Sequence, residues 1–266
     1  MIPVAIIGGG PAGLMAAEQL THAGIAVALF DSMPSVGRKL LLAGIGGLNI
    51  THSEPTPSFL GRYAPSQARL APVLAEFGAN ELRAWVHDLG IETFVGSSGR
   101  VFPKEMKAAP LLRRWLSRLR AQGLMVHSRH RCVGVSKGSG AGYELVFDTP
   151  DGQRRIQTHA VIFAMGGGSW ARLGSDAAWQ QWLAPLALTI QPLRPANGGF
   201  QCAHSDSVKA LAGSPLKNIM LMLPWLADSR KPVRGEVIIT EWGIEGSLIY
   251  AHSAMIRDRI EAVGYA

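Results

Sequence analysis

The residues of this chain whose types and spacing could do chemistry begin at position 8. Gly8-Gly9-Gly10-Pro11-Ala12-Gly13 fits G-x-G-x-x-G, and an acid, Asp31, stands 18 positions beyond Gly13. In such a turn Gly8 permits the sharp reversal, Gly10 lets backbone approach a pyrophosphate, and Gly13 lets a helix close on a strand. The first N–H groups of that helix, with its dipole, then face the phosphate. Asp31 is placed to accept a hydrogen bond from a ribose hydroxyl. The chemistry implied is the binding of a dinucleotide.

The flanking elements must hold this turn in place. Pro3 to Ile7 is wholly apolar, as a parallel strand buried on both faces should be. Leu14, Ala17, Leu20 and Ala23 repeat at helical spacing, and Gly24 ends that helix. Ile25 to Phe30 is a second apolar strand, closed by Asp31. Strand, glycines, helix, strand and acid stand in register.

An acid at Asp31 disfavours the 2′-phosphate of NADP and leaves FAD or NAD. Two further segments favour FAD. Gly37 to Asn49 opens with the basic pair Arg38-Lys39 and runs into glycines, which reads as a second loop facing a phosphate or sugar. His159 to Gly168 reads as a buried strand ending in three glycines, where backbone again approaches a ligand closely. Before it, Leu124 to Ser128 reads as a parallel strand. Cys132 to Ser136, Tyr143 to Phe147 and Arg154 to Thr158 read as a three-strand antiparallel excursion, with turns at Gly138-Ser139-Gly140 and Pro150-Asp151-Gly152. An excursion of this kind in place of a crossover helix is typical of the glutathione-reductase-type FAD-binding Rossmann fold, so the fold class is α/β.

Other segments carry weaker signals. Residues 100–131 hold nine Lys and Arg against one acid, Glu105, while the remainder of the chain has a net charge of −1. The overall +7 is therefore one segment's property, and a whole-molecule nucleic-acid binder would spread its charge differently. Most of that segment is an amphipathic helix over Met106–Gln122, with Pro110 in its first turn. Leu111, Leu112, Trp115, Leu116 and Leu119 form its apolar face, and Arg113, Arg114, Arg118 and Arg120 lie off it as a solvated basic face. Trp115 on the apolar side is unavailable for base stacking. His127 and His130 have H-x-x-H spacing, but on a strand i and i+3 point to opposite faces, so no shared metal is expected. Trp170, Trp179 and Trp182 read as core, with Trp170 near enough to the glycines to border a ligand. Cys132 and Cys202 form no C-x-x-C pair and read as reduced structural cysteines of a cytoplasmic protein. The apolar run Met1–Ala17 has no basic leader and is dense in glycine, so neither a signal peptide nor a membrane span is expected.

Prolines at 185, 192, 195, 215, 224 and 232 punctuate residues 185–234, which read as loop and strand without helix. A boundary near Pro192 divides a first domain, 1–191, from a β-rich one, 192–266. In the latter, Arg234–Thr240 reads as a strand and Ser247–Ala262 as a final helix.

Together these segments resemble the bacterial flavoproteins grouped with BaiN and YhiN, labelled aminoacetone-oxidase-like or NAD(P)/FAD-dependent oxidoreductases. The resemblance is carried by Gly8 to Gly13, Gly37-Arg38-Lys39-Leu40-Leu41 with Asn49-Ile50-Thr51, and Gly99 to Pro103 with Lys107-Ala108. It continues through Ala164 to Gly167 with Gly174-Ser175-Asp176, then Gly235-Glu236 with Thr240 and Gly243 to Gly246. The pieces occur in family order and span essentially the whole chain. The resemblance implies an FAD-dependent oxidoreductase acting on a small molecule, with NAD(P)H as transient reductant. It implies Gly8, Gly10, Ala12 and Gly13 at the pyrophosphate, Asp31 at the adenosine ribose, and Arg38, Lys39 and Asn49 on the flavin side. Val133 would meet the adenine through its backbone, and Gly166 and Gly167 would approach from the last strand. No catalytic acid or base is implied, because the isoalloxazine carries the hydride.

Two departures stand out. The family's G-G-G-R-C-N loop reads Gly44-Ile45-Gly46-Gly47-Leu48-Asn49 here, without the Arg-Cys pair. Family members also run past position 266, so the chain is expected to stop inside an inserted domain after one strand and one helix. On that expectation it binds FAD weakly and has little turnover. Two other readings are a truncated, non-catalytic nucleotide-binding relative and an RNA-associated flavoprotein that uses the basic helix.

Overall fold

Strand β1 (Ile2–Ile7) is central because Ala5, Ile6 and Ile7 at its C-terminal end are buried on both faces of a sheet. The computed structural model describes residues 1–43, 46–63, 66–138, 140–225 and 233–265. Two compact units are present, Met1–Ile190 and Gln191–Ala266.

In the first unit β1 is flanked by β2 (Val27–Phe30), which pairs in parallel Val4 to Val27 through Ile7 to Phe30. The helix between them, α1 (Pro11–His22), begins directly after the glycine turn. The short helix α2 (Arg38–Ala43) follows. The chain then leaves the main sheet for a small antiparallel sheet, β3 (Thr51–His52), β5 (Arg100–Pro103) and β4 (Thr93–Val95), in the order β3-β5-β4. Helices α3 (Thr56–Gly61), α4 (Gln67–Glu76) and α5 (Ala79–Asp88) lie between β3 and β4. Helix α6 (Ala108–Ala121) returns to β6 (Met125–His127), parallel to β2. β7 (Arg131–Lys137), β8 (Tyr143–Thr149) and β9 (Gly152–Phe163) complete a six-stranded sheet of order β6-β2-β1-β9-β8-β7, and α7 (Trp179–Leu183) follows.

The two faces of β1 and β2 sort their residues by alternation. Ile6, Val27 and Leu29 join Leu14 and Ala17 of α1 and Leu111, Trp115 and Leu119 of α6 in one cluster. Ala5, Ile7, Ala28 and Phe30 join Leu145 and Phe147 of β8 and Leu183 of α7 in another. A buried carboxylate, Glu18, fixes α1 against its neighbours. It accepts from the indole N–H of Trp85 in α5 and of Trp115 in α6, and from Arg118 at 3.1 Å.

Several expectations are corrected here. The last strand of the excursion, Arg154 to Thr158, and the strand that begins at His159 are one strand, not two. β9 runs antiparallel to β8 up to Thr158 and parallel to β1 from Thr158 onward. Thr158, fully buried, donates to the carbonyl of Ile2, so the partner changes without a turn. The basic helix starts at Ala108, not Met106, because Met106 has a φ of 58°. Arg38-Lys39 opens helix α2 rather than a loop. Gly44 and Ile45 of that segment, and Ser139 of the turn at 138–140, lie outside the described residues.

The second unit also holds more than one strand and one helix. β10 (Phe200–Gln201), β11 (Pro215–Leu221), β12 (Val233–Ile239) and β13 (Gly243–Glu245) form a sheet of order β10-β13-β12-β11. A short helix, α8 (Asp206–Lys209), sits where only loop and strand were expected. It begins after Ser205, a residue type that favours helix starts, and is too short to show periodicity. Helix α9 (Ser247–Val263) packs Leu248 and Ile249 on Val237 of β12. Gly235 allows that approach, since a Cβ there would lie 2.9 Å from Leu248. Pro232 and Ala266 lie outside the described residues. Among the described residues no helix is long and apolar enough to cross a membrane.

Candidate dinucleotide site

At the carboxyl ends of β1, β2 and β9 lies a cavity of about 400 Å³. Open α/β sheets bind ligands at this edge. Gly8 has a φ of 108°, and a Cβ on it would stand 2.5 Å from the carbonyl oxygen of Ala164 at the end of β9. A Cβ on Gly13 would stand 1.9 Å from the carbonyl oxygen of Gly8. Those two positions therefore seat the turn on the sheet and the helix on the turn. Gly10 differs, since a Cβ there would meet nothing within 4 Å. It is the N-cap of α1 and faces the cavity, with Pro11 at the first helical position, where no N–H is needed.

Asp31 is bound to the turn. Its Oδ2 accepts from the N–H of Gly9 and its Oδ1 from the N–H of Met33, both at 2.7 Å. Burial pushes its carboxyl above the usual range, and those N–H groups with the Arg38 charge offset only part of that rise. Each oxygen keeps a lone pair for a further donor.

Arg38 and Lys39 border the same cavity from α2. Arg38 Nη1 reaches Ser35 Oγ at 3.4 Å, and its Nε is buried without a partner among the described residues. A buried unpaired donor costs free energy unless an acceptor arrives. Lys39 is exposed and donates to Ser169 Oγ at 2.7 Å.

Of the residues singled out in the sequence, Gly8, Gly10, Ala12, Asp31, Arg38, Lys39 and Gly166 are brought together around the cavity. Gly13 is not on its wall, because it is buried between α1 and Gly8. Val133 is replaced on the wall by its neighbours Arg131 and Cys132. The carbonyl of Gly167 accepts from Ser175 Oγ instead of facing the cavity. Asn49 lines a different cavity, described below.

The opposite wall was not read from the sequence. His130, Trp179 and Trp182 line it, while Trp170 does not. Trp179 donates from its indole to the carbonyl of Gly166 at 2.9 Å, and both α7 tryptophans also pack on the second core cluster. They read as core in the sequence, and nothing local revealed which sheet face they would cover. His127 and His130 do not point to opposite faces. β6 ends at His127, Arg129 adopts a φ of 57°, and the chain turns back. Both rings then meet Phe30, with His127 stacked at 4.7 Å, and the two imidazoles lie 5.4 Å apart. Burial, then the neighbouring His130 and Arg154, hold His127 below the usual imidazole range. Among the described residues no group of three or more His, Cys, Asp or Glu could hold a metal ion.

Arg131 and Asp176 close the wall with an ion pair. Burial opposes ionisation of Asp176, but the Arg131 hydrogen bond and the Ala178 N–H outweigh it and hold the carboxyl below its usual value. Cys132 is pushed up to about 11 by burial, so it remains a thiol at neutral pH.

The architecture defines the class: a Rossmann-type α/β protein of the glutathione-reductase arrangement, with its glycine turn on a ligand cavity. An open-conformation structure of a flavocytochrome c3 fumarate reductase shares this fold, with a TM-score of 0.56 and 15% identity over 82% of this chain and 47% of that one. The chain belongs to the HI0933-like family, whose Rossmann domain matches residues 2–250. It is similar to the ribosomal RNA dihydrouridine synthase of Haemophilus influenzae, 26% identical over 245 residues. That match covers 92% of this chain and 59% of the relative, so the chain spans about three-fifths of that protein's length.

Proposed function

We propose that this chain is the FAD-binding part of a flavin-dependent oxidoreductase. The observation that carries the proposal is the convergence on one cavity of the N-terminus of α1, an unobstructed Gly10 and the Arg38 side chain. Two kinds of donor facing one open space suit the two negative charges of a pyrophosphate. Asp31 would accept from the ribose, and His130, Trp179 and Trp182 would flank the adenine. Arg38 and Lys39 would extend the site toward the flavin. When bound, FAD would supply hydride transfer, and NAD(P)H is the proposed reductant. The test is heat release of the cofactor from purified protein, followed by chromatography. FAD is expected in the supernatant; NAD alone or FMN alone in stoichiometric amount would overturn the reading.

For the substrate, similarity to a protein named for ribosomal RNA favours a uridine in RNA over a free small molecule. Reduction of uridine adds one hydride and one proton across a ring double bond, which is chemistry a flavin enzyme performs. Digested ribosomal RNA from cells lacking the gene, compared with complemented cells, is expected to lose dihydrouridine at one position. An unchanged dihydrouridine content removes this substrate.

A further inference from the structure

A second cavity, of about 440 Å³, lies in the first unit among β3, α3, the end of α4 and the start of β5. The dinucleotide site does not use it. Its wall combines two chemistries. Phe59 and Tyr63 meet edge to face at 5.6 Å, and Phe77 stands at the end of α4. Tyr63 and Phe77 are 37% and 38% exposed, high for large aromatic side chains on the rim of a cavity. The second chemistry is cationic. Arg62 is held by Glu54, whereas Arg100 is exposed and has no carboxylate partner among the described residues. His52 is committed elsewhere: its Nδ1 accepts from the Glu54 N–H at 3.1 Å, so its Nε2 donates to the carbonyl of Ser98 at 3.0 Å. Asn49 adds an amide, donor and acceptor together, to the same wall.

We infer that this cavity holds one unstacked nucleotide of a single-stranded RNA substrate. Aromatic faces that stack a base, an amide for its edge and a free guanidinium for a phosphate are the means by which proteins read unpaired RNA. The volume admits a single nucleotide and excludes a duplex. The inference rests on the RNA reading of the substrate given above. It also relocates RNA contact away from the exposed Arg113 and Arg120 of α6, a helix whose own aromatic residue, Trp115, is buried.

The experiment measures binding of a fluorescein-labelled oligouridylate to the 266-residue chain by fluorescence anisotropy, at about 50 mM salt, where phosphate contacts are strong. Arg100→Glu and Phe77→Ala, both at exposed positions, are each expected to weaken binding by about ten-fold. The double variant Arg113→Glu, Arg120→Glu is expected to stay within about two-fold of the parent, as a face not in contact. Absence of binding by the parent, parental binding by both cavity variants, or loss confined to the α6 variant would each overturn the inference. So would displacement of the oligonucleotide by benzoate as readily as by uridine monophosphate, which assigns the cavity to a small aromatic acid. Flavin content, read on the same preparations, keeps the outcomes apart. Flavin without RNA binding defeats this inference alone, whereas protein without flavin defeats the oxidoreductase reading.

Discussion

Residues 8–13 and 37–39 both border the dinucleotide cavity, and both contain glycine at a positive φ, but they are built in opposite ways. The first turn is backbone pressed on backbone: Gly8 lies against Ala164, and Gly13 against Gly8. The second uses one glycine to bring side chains to the cavity. Gly37 has a φ of 70°, and a Cβ there would meet only the side chain of Leu112, while Arg38 and Lys39 do the reaching. A flexible leucine can give way, and a carbonyl in a sheet cannot. The first turn should therefore fail as a fold when altered, and the second as a binding surface.

The largest expected effect comes from Gly13→Val. Its Cβ would fall 1.9 Å from the Gly8 carbonyl oxygen, so helix and strand must separate. A cost of at least about 3 kcal/mol follows, seen as a drop in melting temperature of roughly 10 °C with loss of flavin. Gly10→Val in the same turn makes the sharpest break, since its extended backbone, with φ −79° and ψ −178°, accepts a branched side chain without a clash. We expect a melting temperature within about 2 °C of the parent and a colourless preparation. If Gly10→Val melts as low as Gly13→Val, then the whole first turn is structural and the distinction between its glycines is void.

Asp31 and Arg38 lie between these extremes. Asp31→Ala frees the N–H groups of Gly9 and Met33 and removes the ribose acceptor, so stability and cofactor affinity should each fall by about 1–3 kcal/mol. Arg38→Leu should separate the two quantities. It removes a buried donor that has no partner among the described residues, so the cofactor-free protein should melt no lower. FAD affinity, measured by titrating stripped protein, should drop by about 1–3 kcal/mol as the charge-assisted contact is lost. A lower melting temperature without change in affinity would make Arg38 a structural residue.

The same contrast decides what could be read in advance. The strand, glycine turn, helix, strand and acid were legible because each imposes its own local rule: apolar run, positive φ, 3.6-residue period, carboxylate at a strand end. β9 was divided wrongly because its change of partner at Thr158 leaves no mark in the chain, with neither glycine nor proline there. His127 and His130 were separated by strand alternation, which ceased to apply once Arg129 took a left-handed conformation that its residue type did not announce. The tryptophans of α7 looked like core and also became cavity wall, since a helix face can satisfy both roles at the edge of a sheet. Residues 50–105 gave no helix or strand reading. Their helices are short and largely exposed, and the small β3-β5-β4 sheet pairs strands of two to four residues, so periodicity had little length in which to appear.

Lys39 supplies the smallest effect and the finest test of the side-chain-borne turn. Its ammonium is exposed and holds Ser169, a residue of the loop that follows β9, at 2.7 Å. An exposed hydrogen bond of this kind adds little to folding, because water replaces it at almost no cost. Lys39→Ala should leave stability within about 0.5 kcal/mol of the parent. Its effect on FAD should be electrostatic and long-ranged, because the cation stands at the cavity mouth rather than inside it. Affinity should therefore fall by a few-fold at low salt and converge with the parent as the Debye length shortens to about 3 Å near 1 M salt. Arg38→Leu, whose lost donor is buried, should keep its deficit at both salt concentrations. If the Lys39→Ala deficit persists undiminished at high salt, then Lys39 contacts the cofactor directly, and the two cations of α2 play the same part.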